Sequence, residues 1–349
     1  MRTRPIAALA LAALLAGCLQ ADDASPQIGQ DTTEPNGPLA DPAAFLAGLA
    51  TPTLPDAARC LNDLESFVAL APRRYENQFQ HAEAKDWLEA QFTAAGLQVT
   101  RQDFDGSSQQ LGQAVPGQNI LAVKPGRDPT RLLVFGAHYD SAVTAYGAAY
   151  DDGSGTLLVV ELARAMAAYD WQHTLVFAEW DQEEGGLVGS AAHVQSLIDQ
   201  GFQVDLAVNF DMAGINWPAK FGGTVDVPVK ADFGGGNAEQ FAAAWTAVVD
   251  HLGQPAASSA VATTEATSGP SDHGSFLAGD LPAVWVRGAV IGNYPMYHGA
   301  DTVEGMILDV GGERADLVAG FDTVLRRTFL FTFLADRTAP APAAAEDDA

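Results

Sequence analysis

Three potential metal-binding side chains follow a short apolar stretch near the middle of the chain. Residues 131–136 read RLLVFG, and His138, Asp140 and Asp151 come shortly after them. The β-branched and aromatic content of the stretch indicates a buried strand. Open α/β sheets place ligands just beyond the carboxyl ends of such strands. An imidazole close to carboxylates is typical of a metal site, so we expect a cation at this strand end.

Three other predicted strands are also followed by carboxylates or an imidazole. The residues are Glu183, Glu184, Asp211 and His298. Because parallel neighbouring strands end at the same edge of a sheet, side chains that are far apart in sequence can converge there. The sequence therefore predicts one site that is built from several strand ends.

The types of these ligands favour zinc. Imidazoles together with carboxylates suit a borderline-soft cation, whereas magnesium and calcium prefer oxygen ligands alone. The charges support two ions, because Asp151, Glu184 and Asp211 contribute −3 against +4 for two zinc ions, and a bound hydroxide neutralises the remaining +1. A single zinc ion would leave the same carboxylates with a net charge of −1, which disfavours hydroxide.

Strand and helix patterns alternate along the part of the chain that carries these residues. The alternation indicates crossover connections, and hence an α/β fold with a mixed, largely parallel central sheet flanked by helices. The predicted strands span residues 97–101, 119–123, 132–135, 173–180, 204–210 and 281–286. The predicted helices span residues 81–95, 156–169, 187–198, 238–252 and 315–334.

The two ends of the chain differ in composition from its centre. Arg2 and Arg4, an apolar run and the sequence LAGC together resemble a bacterial lipoprotein signal that ends at Cys18. We expect Cys18 to carry lipid and the exported protein to be anchored in the cell envelope, with secretion as the alternative. The expected segments are the signal peptide 1–18, a flexible tether 19–55, a folded domain 56–336 and a disordered acidic tail 337–349.

The composition limits the classes of partner. A net charge of −26 argues against nucleic-acid binding, because phosphate contacts need clustered lysine and arginine. It also argues against electrostatic docking on anionic lipid, so membrane attachment would depend on a lipid anchor at Cys18. Cys60 is the only other cysteine. We expect its side chain to be buried as a small hydrophobic group and to have no catalytic role. Nothing in the sequence specifies an oligomeric state.

Six short segments occur in order between residues 119 and 302. They are GAHYDS, YDDGSG, WDQEEGGLVGS, NFDMAG, SDHGSF and YHGADT. As an ordered set they resemble the secreted co-catalytic zinc aminopeptidases, the family that also contains the glutaminyl cyclases. One departure is the sequence His298-Gly299-Ala300-Asp301, because the family often has His-Thr-Pro before this aspartate.

The resemblance implies how the ligands divide between two zinc ions. His138 and Asp211 would bind one ion, Glu184 and His298 would bind the other, and Asp151 would bridge them. The implied fold is that of the zinc exopeptidases. The implied substrates are peptides with a free N-terminus.

The resemblance also implies roles for residues around the ions. Glu183 would be the general base, with a zinc-bound hydroxide as the nucleophile. Asp140 would fix the tautomer of His138, and the peptide bond after Asp151 would be cis. Tyr297 is a candidate donor to the oxyanion, and Asp272 is expected to support the wall of the site.

Three functions are compatible with these observations. The leading one is a di-zinc aminopeptidase that removes N-terminal residues from peptides outside the cytoplasm. A glutaminyl cyclase, which forms N-terminal pyroglutamate, is the alternative within the same fold. A non-catalytic peptide-binding surface lipoprotein is the alternative from another class. A serine hydrolase is disfavoured, because Ser271-Asp272-His273 are adjacent in sequence and no G-x-S-x-G elbow is present.

Overall fold

The structure is a computed structural model, and it describes residues 41–49, 52–70, 73–75, 81–108, 113–215, 229–254, 259–288 and 294–338. Among these residues, no helix has both the length and the apolar character that a membrane crossing requires. The predicted signal peptide with Cys18 lies outside the described residues, as do most of the predicted tether and nearly all of the predicted acidic tail.

A single eight-stranded mixed sheet forms the centre of the protein. The strand order is β1-β2-β4-β3-β5-β8-β6-β7, in which β4–β3, β3–β5, β5–β8 and β6–β7 are parallel neighbours and the other pairs are antiparallel. The predicted mixed, largely parallel sheet is therefore confirmed. The strands are β1 (Gln98–Ser108), β2 (Gln113–Lys124), β3 (Asp128–His138), β4 (His173–Trp180), β5 (Gln203–Phe210), β6 (Val229–Gly234), β7 (Ser259–Thr264) and β8 (Ala283–Arg287).

Helices cover both faces of this sheet. Alternate residues of β3 contribute to two separate hydrophobic clusters, with Leu133 and Phe135 in one and Leu132 and Val134 in the other, as the two-residue period of a strand requires. A strand with both faces buried has a continuous apolar sequence, and this pattern allowed β3 to be predicted. The helices are α1 (Pro42–Gly48), α2 (Ala57–Val68), α3 (His81–Ala94), α4 (Ser154–Met166), α5 (Val188–Gln200), α6 (Ala238–His251), α7 (His273–Ala278), α8 (Val303–Val310) and α9 (Arg314–Thr338).

The folded part of the chain begins earlier than the sequence indicated. The predicted tether was expected to extend to residue 55, but α1 forms within it. Asp41 caps this helix by accepting the backbone N–H of Ala44 at 2.9 Å, and Leu46 is 3% exposed within the larger hydrophobic cluster. An aspartate cap followed by proline at the first helical position is a helix-start signal, so the correction has a local cause in the sequence.

Candidate metal centre

The candidate ligands lie where the central strands end. His138 is the last residue of β3 and pairs with Trp180, the last residue of β4. On the other side of β3, Asp211 directly follows the end of β5. These neighbouring strands are parallel, so the residues that follow them emerge at one edge of the sheet, as the sequence predicted.

The structure brings the five predicted ligands together in two overlapping groups. His138, Asp151 and Asp211 form one group, and Asp151, Glu184 and His298 form the other. Within each group the potential ligand atoms lie within 4.8 Å of one another. Each group therefore has the size of a single-cation site.

Asp151 belongs to both groups and lies between the two histidines. Its Oδ1 atom is 3.4 Å from Nε2 of His138, and its Oδ2 atom is 3.3 Å from Nε2 of His298. Nε2 of His298 is also 3.2 Å from Oε2 of Glu184, and Nε2 of His138 is 3.9 Å from Oδ1 of Asp211. One carboxylate with an oxygen facing each histidine has the arrangement of a bridging ligand.

The electrostatics of the site fit cations. Burial, together with the charge of Asp151, raises the pKa of Glu184 to about 8, and burial raises that of Asp211 to about 6. Burial also acts to raise the pKa of Asp151, but hydrogen bonds with His138 and His298 outweigh it and lower the pKa to about 2. Oε1 of Glu184 is buried and has no hydrogen-bond partner among the described residues. Buried carboxylates of this kind need positive charge beside them, so the donor set fits zinc.

Asp140 contacts more of the site than the sequence indicated. Its Oδ1 atom is 3.4 Å from Nδ1 of His138 and also accepts the backbone N–H of Glu183 at 3.0 Å. Its Oδ2 atom accepts the backbone N–H of Glu184 at 3.3 Å. A single buried carboxylate thus connects the end of β3 to the loop that carries the predicted base and one predicted ligand.

Glu183 is half-buried and lines the same cavity as four of the five predicted ligands. Burial raises its pKa well above the usual range of a glutamate, and the negative charges of Asp272 and Asp211 act in the same direction. A nearby histidine, His138, opposes the shift. A carboxyl group in this position can exchange a proton with a molecule bound in the site.

Asp301 holds the segment that carries Asp151, and the sequence analysis gave it no role. Its Oδ2 atom accepts the backbone N–H groups of Tyr150 and Asp151 at 2.7 and 2.9 Å, and its Oδ1 atom accepts the hydroxyl of Tyr294 at 2.7 Å. The peptide bond between Asp151 and Asp152 is cis, which confirms that prediction. Although the sequence before Asp301 departs from His-Thr-Pro, Asp301 supports the segment that carries Asp151.

Arg73 is a second positioning residue that the sequence did not reveal. It is 2% exposed, and its guanidinium donates to the carbonyl oxygens of Tyr139 at 2.8 Å and Ala148 at 3.0 Å. These two carbonyls lie near opposite ends of the loop between His138 and Asp151. Arg73 therefore connects the two ends of that loop. The signal was weak, because one arginine in a polar segment is usually on the surface.

Tyr297 and Asp272 differ in their exposure to solvent. The Tyr297 side chain is 42% exposed and its ring lies 3.8 Å from that of His298. Asp272 is fully buried at the start of α7, and burial raises its pKa to about 7. Tyr297 lines the cavity beside His298, and Asp272 is not among the residues that line it.

The ligand groups open into a small cavity of about 270 Å³. Its volume lies just below the roughly 300–1,000 Å³ of pockets that enclose drug-sized molecules, so it suits one amino-acid side chain. The cavity is lined by Asp151, Glu183, Glu184, Asp211, Met212, Pro270, Trp285, Arg287, Tyr297 and His298.

Known proteins resemble this chain in sequence and in fold. Leupeptin-inactivating enzyme 1 of Streptomyces exfoliatus is 31% identical over 63% of this chain and 46% of its own length, so the chain spans about half of that relative. The structure of a leucine aminopeptidase precursor from Bacteroides thetaiotaomicron matches with a TM-score of 0.62 and 18% identity, over 80% of this chain and 99% of the other.

A glutaminyl cyclase from Porphyromonas gingivalis has the same fold, with a TM-score of 0.60 and 18% identity over 80% of this chain and 98% of the other. At these identities the two structures show the fold alone. The family model described as peptidase family M28 matches residues 119–319, which include all five residues of the two ligand groups. The chain therefore belongs to peptidase family M28.

Proposed function

We propose that the chain is an aminopeptidase that holds two zinc ions and removes N-terminal residues from peptides. The observation that carries the proposal is the position of Asp151, whose two oxygens lie 3.4 and 3.3 Å from His138 and His298. His138, Asp151 and Asp211 would hold one ion, and Asp151, Glu184 and His298 the other. When bound, the two ions supply Lewis acidity and lower the pKa of bound water.

Glu183 is assigned as the general base. Its carboxylate takes a proton from the attacking water and delivers that proton to the nitrogen of the leaving amine. Asp140 fixes the position of Glu183 through the backbone N–H bond of 3.0 Å. Tyr297 is assigned as a donor to the oxyanion, since it lines the same cavity.

Removal of a single N-terminal residue fits the shape of the cavity. The space of about 270 Å³ beside the ligand groups is large enough for one side chain. The free amine and the first carbonyl of a peptide would face the ligand groups, and the first side chain would fill the cavity. Peptides with a free N-terminus are therefore the proposed substrates.

The test is hydrolysis of aminoacyl-p-nitroanilides by protein that has been stripped with a chelator and reloaded with zinc. We expect activity to disappear on chelation and to return with zinc. Glu183→Gln should lower kcat by about 10²–10⁴-fold while zinc content is retained. The matched control is Glu83→Gln, at an exposed position of α3, which should behave as wild type.

Three outcomes would contradict this proposal. The first is full activity of the Glu183→Gln variant or of chelated protein. The second is conversion of glutaminyl peptides to pyroglutamate without hydrolysis of other N-terminal residues, which would favour the glutaminyl cyclase. The third is peptide binding without any turnover, which would favour the non-catalytic surface lipoprotein.

We also propose that the protein is exported and attached to the cell envelope through lipid on Cys18. The support is the sequence alone, namely the basic start, the short apolar run and the small residues before the cysteine. Fractionation of cells that express wild type and Cys18→Ser tests it. Wild type should be in the membrane fraction and the variant should not, whereas equal partition of both would contradict the anchor.

A further inference from the structure

Two of the residues that line the cavity, Trp285 and Arg287, come from strand β8. Trp285 and Arg287 are two residues apart on β8, so their side chains lie on the same face. In the antiparallel pairing of β8 with β6, Trp285 lies opposite Asp232 and Arg287 lies opposite Lys230. Residues opposite one another in such a pair share a face, so these four side chains form one surface, which we call the β6–β8 face.

Arg287 is fixed on the β6–β8 face. Its Nε and Nη2 atoms donate to Oδ2 of Asp232 at 3.0 and 2.9 Å, and its guanidinium lies 4.6 Å from the centre of the Trp285 ring. On the other side, the His273 ring stacks on Trp285 with a centroid distance of 5.0 Å and an interplanar angle of 15°. The arginine is therefore preorganised, and little side-chain entropy is lost when a ligand binds it.

Arg287 retains hydrogen-bond donors that its described neighbours do not use. A guanidinium has five N–H groups, and Asp232 accepts two of them. Among the described residues, the contact of Nη1 is a long one, 3.5 Å to the carbonyl oxygen of Gly288. Because Arg287 also lines the cavity, the remaining N–H groups can donate to a ligand there.

The charge of the β6–β8 face is opposite in sign to that of the whole protein. Arg287 and Lys230 contribute +2 and Asp232 contributes −1, which leaves +1 on a chain with a net charge of −26. An apolar side chain would leave the N–H groups of Arg287 without acceptors in a partly enclosed space. A carboxylate would accept them in charge-assisted bonds, which are roughly twice as strong as neutral ones.

We propose, on the basis of the proposed aminopeptidase function, that Arg287 selects substrates whose N-terminal side chain ends in an oxygen acceptor. Glutamate and aspartate are the preferred residues, and glutamine comes next. The same cavity is lined by Arg287 and by the ligand groups, so a peptide whose amine faces the ligand groups presents its first side chain to the guanidinium.

The experiment compares glutamyl, glutaminyl, methionyl and leucyl p-nitroanilides on the zinc-loaded full chain. Wild type should cleave the glutamyl substrate best. Methionine has nearly the shape of glutamine without the acceptor, so the ratio of kcat/KM for glutaminyl over methionyl should exceed one in wild type. Arg287→Met should lower the ratio of kcat/KM for glutamyl over leucyl by about 10- to 100-fold. Arg101→Met, on β1 at the far edge of the sheet, should leave that ratio unchanged.

The outcomes separate this inference from the proposed function. Hydrolysis with an unchanged glutamyl-to-leucyl ratio in Arg287→Met would overturn the role of Arg287 and leave the aminopeptidase assignment intact. A wild-type preference for methionyl over glutaminyl would do the same, and it does not depend on whether the variant folds. Absence of hydrolysis on every substrate would overturn the proposed function and this inference with it.

Discussion

Replacing Asp301 with alanine should loosen the segment that carries Asp151. Asp301 accepts the backbone N–H groups of Tyr150 and Asp151 at 2.7 and 2.9 Å and the hydroxyl of Tyr294 at 2.7 Å. Asp301 is 1% exposed, so solvent does not compete for these bonds. Hydrogen bonds to a charged group contribute about 1.5–3 kcal/mol each, so losing the two backbone bonds alone costs about 3–6 kcal/mol.

The assay is thermal unfolding in the presence of a chelator, so that the measured change belongs to the protein alone. At about 2–4 °C per kcal/mol, Asp301→Ala should lower the Tm by roughly 6–24 °C. Tyr294→Phe removes one of the three bonds and should lower the Tm by a smaller amount. The control is Asp250→Ala, at an exposed position of α6, which should stay close to wild type.

Zinc affinity gives a second readout for the same variant. Partners that orient metal ligands typically contribute 10- to 100-fold in affinity, so zinc titration of Asp301→Ala should show a loss of about that size. A Tm within about 2 °C of wild type would mean that other contacts hold the segment. Together with unchanged zinc affinity, that result would refute the positioning role of Asp301.

Two further predictions concern His173 and Tyr297. His173 is buried at the opposite end of the sheet, 2.8 Å from both Asp205 and Asp336, and although burial lowers its pKa, the bonds to these carboxylates raise it further. A raised folded-state pKa gives stability that is fully present below about pH 6.5 and is lost as the pH rises through the folded-state pKa. In urea unfolding of chelated protein, His173→Gln should therefore lower the free energy of unfolding by about 1.5–3 kcal/mol more at pH 5.5 than at pH 9. An equal loss at both pH values would contradict this prediction. Tyr297→Phe should lower kcat by about 10²-fold with unchanged zinc content, and wild-type kcat would exclude an oxyanion role.

The sequence was most informative where one physical signal dominated. The strands β3, β4 and β5 are buried on both faces, so they appear as continuous apolar runs that periodicity detects. Parallel strands end at a common edge of a sheet. The predicted topology was therefore enough to predict that His138, Asp151 and Asp211 lie close together. The bounds of β4 were predicted without error.

Two strands that the sequence did not predict have weak local signals. β7 lies at the edge of the sheet and its residues are half-buried or exposed, so its sequence SAVATT carries no apolar alternation. β6 is partly buried and ends at Gly234, the first of three consecutive glycines, and glycine is depleted in strands. Hydrophobic periodicity depends on burial, so it does not identify strands at a solvent-exposed edge of a sheet.

The supporting residues of the site could not be predicted for a different reason. Both residues bind backbone groups that are distant in sequence. Asp301 accepts the N–H of Asp151, and Arg73 donates to the carbonyl oxygen of Ala148. Such bonds depend on the folded positions of main-chain atoms, and the identity of the side chain alone does not specify them.

The number of zinc ions that each chain binds is the decisive measurement for the proposed two-ion site. After saturation and removal of free metal, elemental analysis of wild type should give two zinc ions per chain. His298→Ala should give one, because His138, Asp151 and Asp211 remain, and His251→Ala, at an exposed position of α6, should give two. Fewer than two ions in wild type, or two in His298→Ala, would contradict the account.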